Sequence, residues 1–108
     1  MPKTENVTRG SGNVFADLGL SQADERLAKA ELARAIGKAI RERKLTQRQA
    51  AEVLGVDQPK VSHVLSGRLE GFSTERLLRF LTSLGSDVEI RVTRRRKRQR
   101  GRLHVVAR

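Results

Sequence analysis

The chain has 108 residues, a length that fits one domain with a modest core. Three Phe, with no Trp and no Tyr, leave that core to Leu, Ile, Val and Ala, which leans towards a helical fold. The absence of Cys excludes disulfides, thiolate metal sites and Cys nucleophiles, and a formal net charge of +11 points to a polyanionic partner, nucleic acid first.

In chain order, residues 1–12 are polar and without periodicity, so no order is expected there. Residues 13–20 (NVFADLGL) are too apolar for a free tail. Val14, Phe15, Leu18 and Leu20 are expected to dock on the core as a short arm. Ser21, with Asp24 three residues on, makes a capping-box pattern, and Asp24 and Glu25 suit the positive end of a helix dipole. Leu32, Ala35, Ile36, Ala39 and Ile40 then form one apolar stripe, and Arg41, Arg43 and Lys44 suit the far end of the same helix. Gly37 either weakens this helix or admits a close contact.

A second helix is expected from about Gln47 to Leu54, with Thr46 as its cap and Gly55 as its left-handed stop. Asp57 is the expected cap of a third helix, Gln58 to about Leu65. Pro59 falls in its first turn, where a missing N–H costs nothing, and Gly67 closes it. Ser73 caps a fourth helix through Leu84, with Leu77, Leu78, Phe80, Leu81 and Leu84 inward and Gly85 as its stop.

Residues 87–93 (DVEIRVT) switch to a period of two, with Val88, Ile90 and Val92 on one face and Glu89 and Arg91 on the other. A lone strand cannot satisfy its own backbone. The simplest partner is the same strand of a second copy; the alternative is the arm at Val14 and Phe15. Residues 94–108 hold eight basic groups and no acid, while the other 93 residues carry a net charge of only +3. This Arg-rich tail is expected to be solvated and mobile when unbound and to strengthen DNA binding in a salt-dependent, sequence-blind way; the alternative is a solvated or RNA-binding tail. The sequence thus divides into an unordered start (1–12), a helical domain ending in a strand (13–93) and a basic tail (94–108).

The stretch from Thr46 to Gly67 (TQRQAAEVLGVDQPKVSHVLSG) meets several steric demands at once. Two short helices that cross closely need a small residue at the crossing, which Ala50 and Ala51 supply. The turn needs positive φ, which Gly55 supplies. Val61 and Val64 can pin the second helix to the first, with Val53, Leu54 and Val56 behind them. This is a helix-turn-helix pattern; an ordinary helical hairpin imposes no such joint constraint.

The outward face of the third helix would then meet the DNA major groove. Gln58 can pair with adenine in bidentate fashion, and Ser62 and His63, one turn on, can reach base edges or phosphate. Pro59 shares their turn, and Lys60 flanks them as a phosphate contact. Gln47 opens the second helix, where amides commonly face a phosphate; Arg48 and Arg68 are further backbone candidates. The expected DNA-binding set is therefore Gln47, Arg48, Gln58, Pro59, Lys60, Ser62, His63 and Arg68. Each has a plainer reading as a polar, solvated helix position.

NVFADLGL, the long helix, and LTQRQAAEVLGVDQPKVSHVLSGRLEGFSTERLLRFLTSLGSDVEIRV together resemble the Cro/repressor-like (XRE) helix-turn-helix proteins. The opening, GRLEGFSTERLLRFL and LGSDVEIRV resemble the HigA-type antitoxin branch in particular. The resemblance covers about residues 13–92. It implies a mainly α, four-to-five-helix lambda-repressor-like bundle with one C-terminal β-strand, and a two-fold dimer on a palindromic operator. It further implies a transcriptional repressor that acts on its own operon and neutralises a RelE-like ribonuclease toxin. Two other readings stay open: a protein whose main task is to mask such a toxin, and a non-specific nucleic-acid binder driven by the tail.

No enzyme is expected. His63 and His104 lack accompanying acids, and Ser62 and His63, being adjacent on a helix, cannot form a nucleophile–base pair. No phosphate loop or metal-ligand spacing is present, so no cofactor is expected. With no apolar run near the ~20 residues of a membrane span and no signal-peptide core, the expected location is the cytoplasm, on the nucleoid when bound.

Overall fold

The computed structural model describes residues 21–94 and 101–107. Among these, four helices build the domain: α1 (Gln22–Glu42), α2 (Gln47–Leu54), α3 (Gln58–Leu65) and α4 (Thr74–Ser83). The expected arm (13–20) and the unordered start (1–12) lie outside the described residues, as do residues 95–100 of the basic tail.

Each helix starts where a side chain can accept an orphan amide, with one exception. Ser21 Oγ accepts from the Asp24 N–H at 3.1 Å, and Ser73 Oγ accepts from the Arg76 N–H at 3.1 Å. At α2 a complete capping box forms: Thr46 Oγ1 accepts from the Gln49 N–H at 3.0 Å, and Gln49 Oε1 accepts from the Thr46 N–H at 2.9 Å. The exception is α3. Asp57 stands at its N-cap, but its carboxylate takes no capping hydrogen bond, contrary to the sequence expectation. Two backbone amides, of Lys60 and Val61, bond to the Asp57 carbonyl instead.

All four helices stop in the same way. The last turn closes onto a residue at positive φ: Lys44 (φ 57°), Gly55 (70°), Gly67 (83°) and Gly85 (93°). At α1 the Lys44 N–H donates to Arg41 O at 2.9 Å and the Leu45 N–H to Ile40 O at 3.0 Å. That Lys44, rather than a glycine, takes this position was not anticipated.

The core joins Leu32, Ile36 and Ile40 of α1, Ala50 and Ala51 of α2, Val61 and Val64 of α3, and Leu77, Phe80, Leu81 and Leu84 at the α4 end. The long α1 packs along α4 and crosses α3, while α2 packs on α3. Gly37 is buried in α1 beside Leu65 at the end of α3; a Cβ there would lie 3.5 Å from Leu65 Cδ2, an ordinary van der Waals contact, so the approach of the two helices does not require a glycine. Phe72, in the loop before α4, meets Phe80 edge to face at 6.1 Å, and the Arg76 guanidinium lies over both rings at 5.3 and 5.5 Å.

Three expectations change. Val53 is exposed rather than behind the motif, because α2 turns that position to solvent. No strand occurs among the described residues: of the backbone hydrogen bonds outside the helices, none there reaches residues 87–94. The reason is physical: a ladder needs a neighbour, and the described part of one chain provides none. Finally, the tail is not solvated throughout. Beyond the basic run, Leu103 and Val105 are half-buried and Val105 packs against the core. Val105 thus buries part of its apolar surface on the domain, while His104 and Val106 stay exposed.

Candidate nucleic-acid interface

The helix-turn-helix is assembled as its sequence demands. Ala50 is fully buried and Ala51 nearly so, which lets α2 and α3 cross at close range. Val61 and Val64 face the crossing, and Leu54 and Val56 pack against the same core. With Val61 and Val64 inward, Gln58, Ser62 and His63 face solvent.

A groove of about 310 Å³ lies between the N-terminal ends of α2 and α3, lined by Gln47, Gln58, Pro59 and Ser62. The Gln47 and Arg48 amides lie in the first turn of α2, where a helix provides no carbonyl partner, and they remain donors for an anion. A second groove, of about 470 Å³, runs along the other flank of α3. Its lining includes Pro59, Lys60, His63 and Arg68, together with Asp57, Glu70, Gly71 and Phe72. Pro59 borders both grooves, so they meet at the first turn of α3.

Seven of the eight expected residues are thus gathered around α3. Arg48 is exposed on α2 but lines neither groove. Ser62 and His63, neighbours in sequence, fall into different grooves, as their separation around a helix requires. The Arg68 N–H donates to the His63 carbonyl at 2.8 Å, which ties the loop after α3 to the helix end. Sequence reasoning missed Asp57, Glu70 and Phe72 as walls of the second groove. Glu70 and Phe72 enter through the loop between α3 and α4, and no local pattern announces where a loop folds back.

Among the described residues no group of three or more His, Cys, Asp or Glu is placed to hold a metal ion. No helix among them is long and apolar enough to cross a membrane. The site is a polar surface centred on a short helix; the charged residues that line it are Lys60 and Arg68 with Asp57 and Glu70, beside His63.

The fold and site define a helix-turn-helix protein. Residues 14–93 match the family model described as "Helix-turn-helix domain". One solved structure, provisionally named an XRE family transcriptional regulator, is 44% identical, with a TM-score of 0.75 over 81% of this chain and 99% of that chain. No curated protein matches the chain. The chain belongs to the XRE family of helix-turn-helix proteins.

Proposed function

We propose that the protein is a dimeric, sequence-specific DNA-binding repressor that reads a palindromic operator through α3. The observation that carries this reading is the gathering of Gln47, Gln58 and Ser62 at one exposed end of the α2–α3 pair. Gln58 supplies the amide that pairs with an adenine edge, and Ser62 supplies a hydroxyl one turn on. The α2 amides at Gln47 and Arg48, with Lys60 and Arg68, hold phosphates and set the register. His63 lies on the second flank, within reach of phosphate or of a base edge. The protein would act in the cytoplasm, on the nucleoid.

The finer assignment, an antitoxin that represses its own operon and neutralises a RelE-like toxin, rests on the resemblance of GRLEGFSTERLLRFL and LGSDVEIRV. Its test is co-purification with the product of an adjacent reading frame of toxin size; no complex sinks the toxin-masking role. A second reading is a non-specific binder driven by the basic run, two of whose residues, Arg94 and Arg102, are exposed.

The deciding experiment is selection from a random duplex pool at near-physiological salt. Enrichment of an inverted repeat with half-sites about one helical turn apart supports the repressor. Tight, salt-sensitive binding without enrichment refutes it in favour of the basic run.

A further inference from the structure

We propose that Arg76 of α4 is a positioning residue for the α3 flank: stacked on Phe72 and Phe80, its guanidinium holds the turn that sets Arg68 and Glu70 beside α3. This rests on the DNA-binding reading above and adds to it a residue outside the helix-turn-helix.

The chain between α3 and α4 is attached at three points. The Arg68 N–H donates to His63 O at 2.8 Å, which fixes its start to α3. Leu69 is half-buried and packs against the core, and the Phe72 N–H closes a turn on Leu69 O at 3.0 Å. Phe72 is itself buried in the core. Among the described residues the tip between these points is unsupported: Glu70 is exposed, and a Cβ at Gly71 would meet nothing within 4 Å. The wall that Arg68, Glu70, Gly71 and Phe72 give the larger groove therefore stands where Leu69 and Phe72 are held.

Arg76 holds the Phe72 end twice. Its backbone N–H donates at 3.1 Å to the Oγ of Ser73, the residue next to Phe72. Its guanidinium lies 5.3 Å from the Phe72 ring centroid and 5.5 Å from that of Phe80, inside the ~6 Å at which a ring face attracts a cation. Phe80 is four residues on in α4, on the same side of the helix, so Phe80 fixes the guanidinium and the guanidinium fixes Phe72. The two rings meet at 70°, and a planar cation over both opposes the sliding of one against the other. Glu75, beside Arg76 in the chain, is taken by Arg79 at 3.0 Å, so the rings and not that acid account for where the Arg76 guanidinium lies. With the turn held, Arg68 meets a backbone phosphate from a fixed place. With the turn loose, binding must also order the loop, which weakens it.

The test is a double-mutant cycle in the full chain on a duplex that it selects, with affinity measured at several salt concentrations. Arg68→Ala should lower the salt slope by about one, the mark of one phosphate contact. Arg76→Leu keeps an apolar body on the rings and should also lower the slope by about one. The two together should lower it no further than either alone, because both act through one contact. Arg79→Leu takes the same charge from the same helix and should leave the slope unchanged. Without DNA, hydrogen exchange reads the turn directly. In Arg76→Leu the Arg68 and Phe72 amides should exchange roughly tenfold faster, while the Ile36 amide in α1 keeps its rate.

A loss of about two in the slope of the double variant overturns the proposal, because Arg76 then meets phosphate itself. Unchanged Arg68 and Phe72 exchange overturns it as well. So does equal acceleration of the Ile36, Arg68 and Phe72 amides, since Arg76 then supports the whole domain and not the turn. If the native chain selects no duplex, the DNA reading falls alone, and the exchange rates still decide whether Arg76 holds the turn.

Discussion

Gly55 offers a clean perturbation of the turn that sets α2 against α3. Its φ is +70°, and a Cβ built there meets nothing within 4 Å. Gly55→Ala therefore introduces no clash with the rest of the domain, and its whole effect is backbone conformation. An L-residue in the left-handed region costs roughly 1–2 kcal/mol. Stiffening the unfolded chain returns about 0.4–1 kcal/mol where the native conformation is compatible. The net expectation is a loss of about 1 kcal/mol, or a fall in Tm of about 4–8 °C for a domain of this size. Gly71 is the control: it too has open space around its Cβ, but its φ is not positive, so Gly71→Ala should be neutral or stabilising by up to ~1 kcal/mol. Lys44 is the converse. It holds φ 57° without being a glycine, and Lys44→Gly should relieve strain at the end of α1. Urea denaturation followed by far-UV circular dichroism measures all three, since the chain has no Trp to report by fluorescence. If Gly55→Ala and Gly71→Ala move the midpoint in the same direction by the same amount, the conformational account of the turn is wrong.

Three further expectations address the site. Ala50→Leu forces a side chain into a fully buried crossing and should cost about 1–3 kcal/mol in denaturation midpoint, with loss of selective binding in a gel shift, because α3 can no longer sit at its angle to α2. Thr46→Ala removes half of the α2 capping box and should cost about 0.5–2 kcal/mol of stability by the same denaturation assay, with Thr46→Ser restoring most of it. Gln58→Ala should weaken operator binding by about 1–3 kcal/mol and relax the preference at one base pair, whereas Lys60→Ala should weaken all sequences alike. Titrations at several salt concentrations separate the two: losing a phosphate contact lowers the salt slope by about one, and losing a base contact leaves it unchanged.

The helices were legible because their causes are local. Ser21, Thr46 and Ser73 are caps within three residues of the amides they bind, and the stripe Leu32–Ile36–Ile40 repeats at the helical period. The Ala50, Gly55 and Val61 pattern identified the turn for the same reason: each requirement is a short-range steric one. Asp57 shows where local reasoning fails. It is a good N-cap residue at the N-cap position, yet its side chain takes no capping bond. Lys44 fails in the opposite sense, adopting a glycine conformation where the Lys44 and Leu45 amides close the last turn of α1 on the Arg41 and Ile40 carbonyls.

By itself the sequence determined three side-chain caps, four helices and the small residues of the α2–α3 crossing, because propensity and spacing act over a few residues. Tertiary structure alone decided which polar side chains share a groove, how Glu70 and Phe72 come to flank α3, and that Val105 returns to the core beyond the basic run. Those outcomes depend on contacts between residues far apart in the chain. Their stability comes from apolar surface buried when α1, α3 and α4 meet, a quantity that no window of sequence contains.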